Sequence, residues 1–119
     1  MDPIELQDKV GHAAQLLKAL GNRHRLLILC QLLEGEKPVG ELVASIGLSQ
    51  SALSQHLARL RRDNLVRTRR AAQTIYYAIE GAYAHAILAT LHQLYCAGDP
   101  LHEHEPARQT ITVPSQLSV

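Results

Sequence analysis

The stretch from Leu48 to Ile79 constrains the fold more than any other, because it reads as one helix followed at once by a two-stranded ribbon. Ser49 is a strong helix N-cap, Leu48 and Leu53 occupy the two hydrophobic-staple positions, and no Gly or Pro follows until Gly81. A helix of about four turns therefore starts at Gln50. With Leu53 as origin and about 100° per residue, Leu57 and Leu60 fall beside it, while Ser51, Gln55, Ala58, Arg59 and Arg62 fall roughly opposite. The segments that follow, LVRTRR and TIYYAI, are rich in β-branched and aromatic residues, with Ile75, Tyr77 and Ile79 at period two. Ala71, Ala72 and Gln73 form the connection between them.

The helix face opposite the leucines is small, polar and cationic, with no acid before Asp63. A DNA major groove asks for that combination: short side chains allow close approach, amides and hydroxyls meet base edges, and arginines meet phosphate or guanine. From Ser49 to Ile79, Arg59, Arg61, Arg62, Arg67, Arg69 and Arg70 stand against Asp63 alone, a local charge of +5 in a chain whose total is +1. Local field, not total charge, decides where a polyanion docks. The candidate DNA contacts are Gln50, Ser51, Ser54, Gln55, Arg59 and Arg62 on the helix, with Arg67, Arg69, Arg70, Gln73 and Thr74 on the ribbon. His56 lies on the core flank and reads as a packing residue.

Upstream, Leu6, Val10, Ala13, Leu17 and Leu20 draw one apolar stripe along a helix from Pro3 to Leu20. Asn22 caps a second helix, Arg23 to Leu33, whose run LLILCQLL is apolar on nearly all sides and should be the most buried element, with Cys30 inside it. GEKP reads as a turn, Pro38 and Glu41 start a short third helix, VGELVASI, and Gly47 closes it. Only Gly47 and Leu48 then precede the Ser49 cap, which is helix-turn-helix spacing, and the ribbon makes the motif a winged one. A last helix, Ala82 to about Cys96, carries a seam of Ala84, Ile87, Leu88, Leu91, Leu94 and Tyr95. Its seam and the stripe on the first helix are candidate dimer surfaces.

Beyond Gly98 the chain has breakers and no period, so residues 1–98 read as a binding and dimerisation domain and 99–119 as a mobile tail. The fold class is mainly α with a small β-wing, in the order α-α-α-α-β-β-α. With no Trp, no Phe and four Tyr, the core must be Leu, Ile, Val and Ala. No apolar run approaches membrane-span length and no leader pattern opens the chain, so a cytoplasmic protein without membrane contact is expected. There is no Cys-x-x-Cys, no Gly-rich phosphate loop and no His-Glu-x-x-His, which argues against an enzyme and implies no cofactor.

Taken together, LLKALGNRHRLLIL, VGELVASIGLSQSALSQHLARLRRDNLV and QTIYYAI resemble the ArsR/SmtB family of winged-helix repressors over about residues 10 to 96. The resemblance implies a homodimer built on the terminal helices, recognition helices in successive major grooves of an inverted-repeat operator, and an effector that loosens DNA. Two departures stand out: Pro38 to Leu42 holds no thiol where metal-sensing members carry Cys-x-Cys, and Ala71-Ala72 replaces the usual wing-tip Gly. The chain looks most like the persulfide- and sulfide-responsive branch, the BigR/SqrR-like repressors, because Cys30 in LLILC and Cys96 in LHQLYC occupy that branch's two cysteine positions. That likeness implies that a reactive sulfur species modifies one thiol and that the second closes a disulfide or polysulfide bridge. The alternative effector is zinc or copper, held by His85, His92 and Cys96, of which the last two lie one turn apart.

Overall fold

The computed structural model describes residues 1–95. They fall into two compact units, Met1–His85 and the described part of Ala86–Val119.

Helix α1 (Pro3–Leu20) starts behind Asp2, whose carboxylate accepts from the Ile4 N–H at 2.9 Å. Its end is closed by a residue of the next helix: Arg25 Nε donates to the Ala19 carbonyl at 2.7 Å and Nη2 to the Lys18 carbonyl at 3.4 Å. A cation belongs there, where the last carbonyls lack intrahelical donors. Helix α2 (Arg23–Leu32) is capped as expected, Asn22 accepting from the His24 and Arg25 N–H groups at 3.0 Å each.

Helix α2 touches α1, α3, α4 and β3 and buries Ile28, Leu29 and Leu32. It is not enclosed on every side, however: Leu27 is 40% exposed and Cys30 only half-buried. An apolar run records which side chains tolerate burial, whereas the neighbours decide which of them receive it.

Strands β1 (Lys37–Pro38), β2 (Val66–Ala71) and β3 (Thr74–Ile79) form an antiparallel sheet in the order β1-β3-β2. The segment expected as a plain turn thus supplies a third strand, with Lys37 opposite Tyr77 and Pro38 opposite Tyr76. Two residues are too few to show a period, and a proline strand is tolerated only at a sheet edge, where its missing N–H costs no ladder bond.

The wing pairs from Val66↔Ile79 to Ala71↔Thr74, so its tip is Ala72-Gln73 alone, shorter than expected by one residue. Ala72 has φ +57, a left-handed conformation that costs a residue with a Cβ about 1–2 kcal/mol. Ala72→Gly should relieve that strain against a smaller unfolded-state penalty, stabilising the protein by about 0.5–1 kcal/mol and raising the thermal midpoint by a few degrees. A lower midpoint would show that the alanine methyl is wanted at the tip.

Helix α3 (Val39–Ile46) ends in Gly47 at φ +83, and helix α4 (Gln50–Arg62) follows after the Ser49 cap. The core of the first unit joins Ile28, Leu29, Leu42, Leu53, Leu57, Leu60, Leu65, Val66 and Ile79 and contains no aromatic ring. Helix α5 (Ala82–Tyr95) carries the last seam, with Ala84 and Leu88 buried, Ile87, Leu91 and Leu94 half-buried, and Tyr83 and Tyr95 exposed. No described helix is long and apolar enough to cross a membrane. Cys96 and the tail from residue 99 onward lie outside the described residues.

Candidate nucleic-acid interface

Helix α4 is fixed at both ends. Ser49 Oγ accepts from the Ala52 N–H at 3.1 Å. At the other end Asn64 takes a left-handed conformation, φ +62, its N–H donating to the Arg61 carbonyl at 3.0 Å and the Leu65 N–H to the Leu60 carbonyl at 2.9 Å. That is a Schellman closure, with Leu60 and Leu65 both buried beneath it. One face of α4 is sealed into the core by Leu53, Leu57 and Leu60, at most 2% exposed. The other presents Gln50, Ser51, Ser54, Gln55 and Ala58 to solvent, with Arg59 half-buried and Arg61 and Arg62 exposed. The leucine-anchored side and the polar side are those expected from the spacing.

The wing lies on the same unit, β2 packing against α4. Its arginines are less available than their number implies. Arg69 makes a bidentate contact with Glu36, Nη2 to Oε1 at 2.7 Å and Nε to Oε2 at 2.9 Å, while its guanidinium carbon lies 4.5 Å from the Tyr76 ring centroid. This arrangement runs across the sheet from β2 over β3 to the residue before β1. The hydrogen bonds from Arg69 are the main reason the Glu36 carboxyl titrates below its ordinary value. Arg67 donates to the Ile79 carbonyl at 2.7 Å and to Glu80 at 3.2 Å, and Arg59 pairs with Asp63 at 2.8 Å.

Among the described residues, Arg61, Arg62 and Arg70 have no carboxylate partner. Gln73 is exposed at the tip and Thr74 half-buried beside it. Glu36 and Glu80 are the participants that sequence reasoning missed. Glu80 lies just beyond the stretch whose charges were counted, and Glu36 is 33 positions from Arg69, where no local pattern finds it.

His56 sits on the flank of α4 half-buried, its ring centroid 5.5 Å from that of His24 on α2. Its pKa is lowered from 6.5, first by burial and then by His24 and Arg25. The unfolded chain takes up this proton near the ordinary value and the folded chain only below it. The contribution to stability is therefore complete above about pH 6.5 and declines as pH falls through the folded pKa. The thermal midpoint should fall between about pH 7 and about pH 5.5, and His56→Gln should flatten that slope. An unchanged slope in the variant would assign the acid sensitivity to other groups.

Cys30 lies on the partly open side of α2, one turn from Leu27. Its expected partner Cys96 is outside the described residues. Of the alternative metal set, His85 and His92 are exposed, and among the described residues no three His, Cys, Asp or Glu side chains are grouped to hold an ion.

Comparison with known proteins gives consistent matches. A model of the arsR family of bacterial regulatory proteins matches residues 22–68. The transcriptional activator HlyU of Vibrio cholerae is 52% identical over 97 residues, spanning 79% of this chain and 90% of HlyU. The structure described as reduced HlyU from Vibrio cholerae N16961 has a TM-score of 0.76, covering 78% of this chain and 98% of that one. The transcriptional repressor BigR from Xylella fastidiosa has a TM-score of 0.72 at 38% identity, covering 82% and 99%.

Proposed function

Because this chain belongs to the arsR family, and is therefore a DNA-binding transcriptional regulator and not an enzyme, we propose that it acts as a homodimeric, thiol-switched repressor. It holds an inverted-repeat operator in the cytoplasm through residues 1–98 and releases it when Cys30 and Cys96 react with a persulfide. The observation that carries the DNA-binding half is α4, whose leucine face is locked in the core while its Ser51–Ser54–Gln55 face stands free beside the wing. The exposed contact set is Gln50, Ser51, Ser54, Gln55, Arg62, Arg67, Arg70 and Gln73, with Thr74 and Arg59 half-buried at its margin and Arg69 held back by Glu36.

The switch is supported by the half-buried place of Cys30 on the open side of α2, by the likeness to BigR, and by the redox state named for the HlyU structure. One thiolate takes the outer sulfur of a persulfide, releasing that donor as a thiol. The second thiolate then attacks the protein persulfide, expels hydrosulfide and closes a disulfide; a further sulfur transfer before closure lengthens the bridge. Two protein thiols are oxidised and the persulfide is reduced.

The bridge ties α2, which packs against α4, to the chain that follows α5, so it can bias the spacing of paired recognition helices. Release by a factor of ten needs only about 1.4 kcal/mol of differential affinity.

The test is operator binding before and after treatment with glutathione persulfide. Cys30→Ser and Cys96→Ser should each bind like the parent and fail to release, while the parent loses about tenfold or more. A single variant that released like the parent would sink the two-thiol mechanism. Release that a chelator abolishes would move the effector to His85, His92 and Cys96.

A further inference from the structure

Helix α1 and the end of α4 border a cavity of about 460 Å³ that opens to solvent within the first unit, a volume suited to a small metabolite. Half-buried Leu16 and buried Ala19 and Leu65 supply its apolar part, and the rest of the wall is mostly hydrogen-bond donors: His12, Gln15, Lys18, Arg59, Arg62 and Asn64. The carboxylate in the wall, Asp63, is already bound by Arg59 at 2.8 Å. Lys18 and Arg62 have no carboxylate partner among the described residues, so the cavity carries two uncompensated cations.

Two helix C-termini face this region, which would ordinarily repel an anion. Here several of their carbonyls are already paired. Those of Arg59, Leu60 and Arg61 accept from Asp63, Leu65 and Asn64, and those of Lys18 and Ala19 accept from Arg25.

We propose that this cavity binds a small polyanionic metabolite, with phosphate or carboxylate oxygens, and that its occupant draws Arg62 away from DNA. Arg62 is the last residue of α4, lines the cavity and belongs to the DNA-facing set proposed above, so one guanidinium serves two anions in competition. The cavity face of α1, with His12, Gln15 and Ala19, lies about 165° around the helix from the Leu6, Val10 and Leu17 stripe, so occupancy and pairing through that stripe are compatible.

The coupling rests on the DNA-facing assignment of Arg62; the binding does not. The test uses the 119-residue chain, pyrophosphate and citrate as phosphate and carboxylate probes, and sodium chloride to equalise ionic strength. Calorimetry should show one site per protomer for at least one probe, the stronger one naming the oxyanion class, and that probe should weaken operator binding about tenfold. Lys18→Ala and Gln15→Ala should each keep probe-free operator affinity within about twofold and lose at least about tenfold in probe affinity.

Absence of binding by either probe, or equal binding to the Lys18 and Gln15 variants, would overturn the site. Probe binding with unchanged operator affinity would overturn the coupling and move Arg62 out of the DNA-facing set. Loss of operator affinity that is the same in parent and variants would reduce the effect to general ionic competition and overturn the proposal.

Discussion

Leu17→Glu should yield a monomer that keeps its helical content and binds the operator about 100-fold or more weakly than the parent. The basis is the stripe on α1, where Leu6 is 49%, Val10 55% and Leu17 58% exposed, while only Ala19 and Leu20 near the end of the helix are buried. An 18-residue helix with that much apolar surface open to water gains little by packing in its own unit. In the proposed homodimer its cover is the same stripe on a second copy, since a two-fold interface meets itself. A carboxylate at Leu17 costs little in the free chain but would be buried twice in the proposed pair. The operator penalty follows from geometry: once one half-site is held, the second binding event is intramolecular, and separation of the protomers forfeits that advantage. Sedimentation velocity and fluorescence anisotropy on the same preparation read the two effects. A dimer that survives the substitution places the interface elsewhere.

A second large effect separates reading from anchoring. Gln55→Ala should cost about 1–3 kcal/mol on the cognate site and almost nothing on random duplex, because an amide that pairs with a base edge carries sequence information. Arg70→Ala should weaken both duplexes alike and flatten the slope of log affinity against log salt by about 0.9, the loss of one phosphate contact. Arg69→Ala should move that slope less than Arg70→Ala does, because Arg69 already has Glu36 at 2.7 Å and must exchange a carboxylate for a phosphate. Equal losses on cognate and random DNA for Gln55→Ala would mean that α4 lies in the groove on a different face.

The contrast between Arg69 and Arg70 marks where the sequence stops being readable. Local chemistry was legible: Asn22 and Ser49 cap the helices they were expected to cap, and Leu53, Leu57 and Leu60 are the buried face their spacing implies. Gly47 closes α3 in a left-handed turn, and Ile75, Tyr77 and Ile79 lie on one side of β3, where Ile79 is buried opposite Val66. Each rests on interactions a few residues long, or on a repeat that one helix or strand imposes.

The illegible part is non-local. Counting charges along Ser49–Ile79 left six arginines nearly unopposed, yet folding brings Glu36 and Glu80 to two of them and folds Asp63 back on a third. Strand β1 exists only because β3 offers it an edge. Arg25 reads as one more surface cation until the end of α1 is seen folded against it. The open side of α2 belongs to the same class, since it depends on how many neighbours surround the helix.

Pro38 is both the last residue of β1 and the N-cap residue of α3, and Glu36 beside it grips Arg69 of the wing. The connection from Leu33 to Val39 resembles a surface turn able to absorb insertions and deletions, but its length is set by two partners at once. One extra residue there would slip Lys37 and Pro38 against Tyr77 and Tyr76, turning each side chain to the opposite face and carrying Glu36 out of reach. The tip at Ala72-Gln73 is exposed on both residues and closes a hairpin that can lengthen without disturbing the pairing beneath it. Over evolutionary time, length variation in this lineage should accumulate at the wing tip, while the connector between α2 and α3 keeps a constant number of residues even as their identities drift.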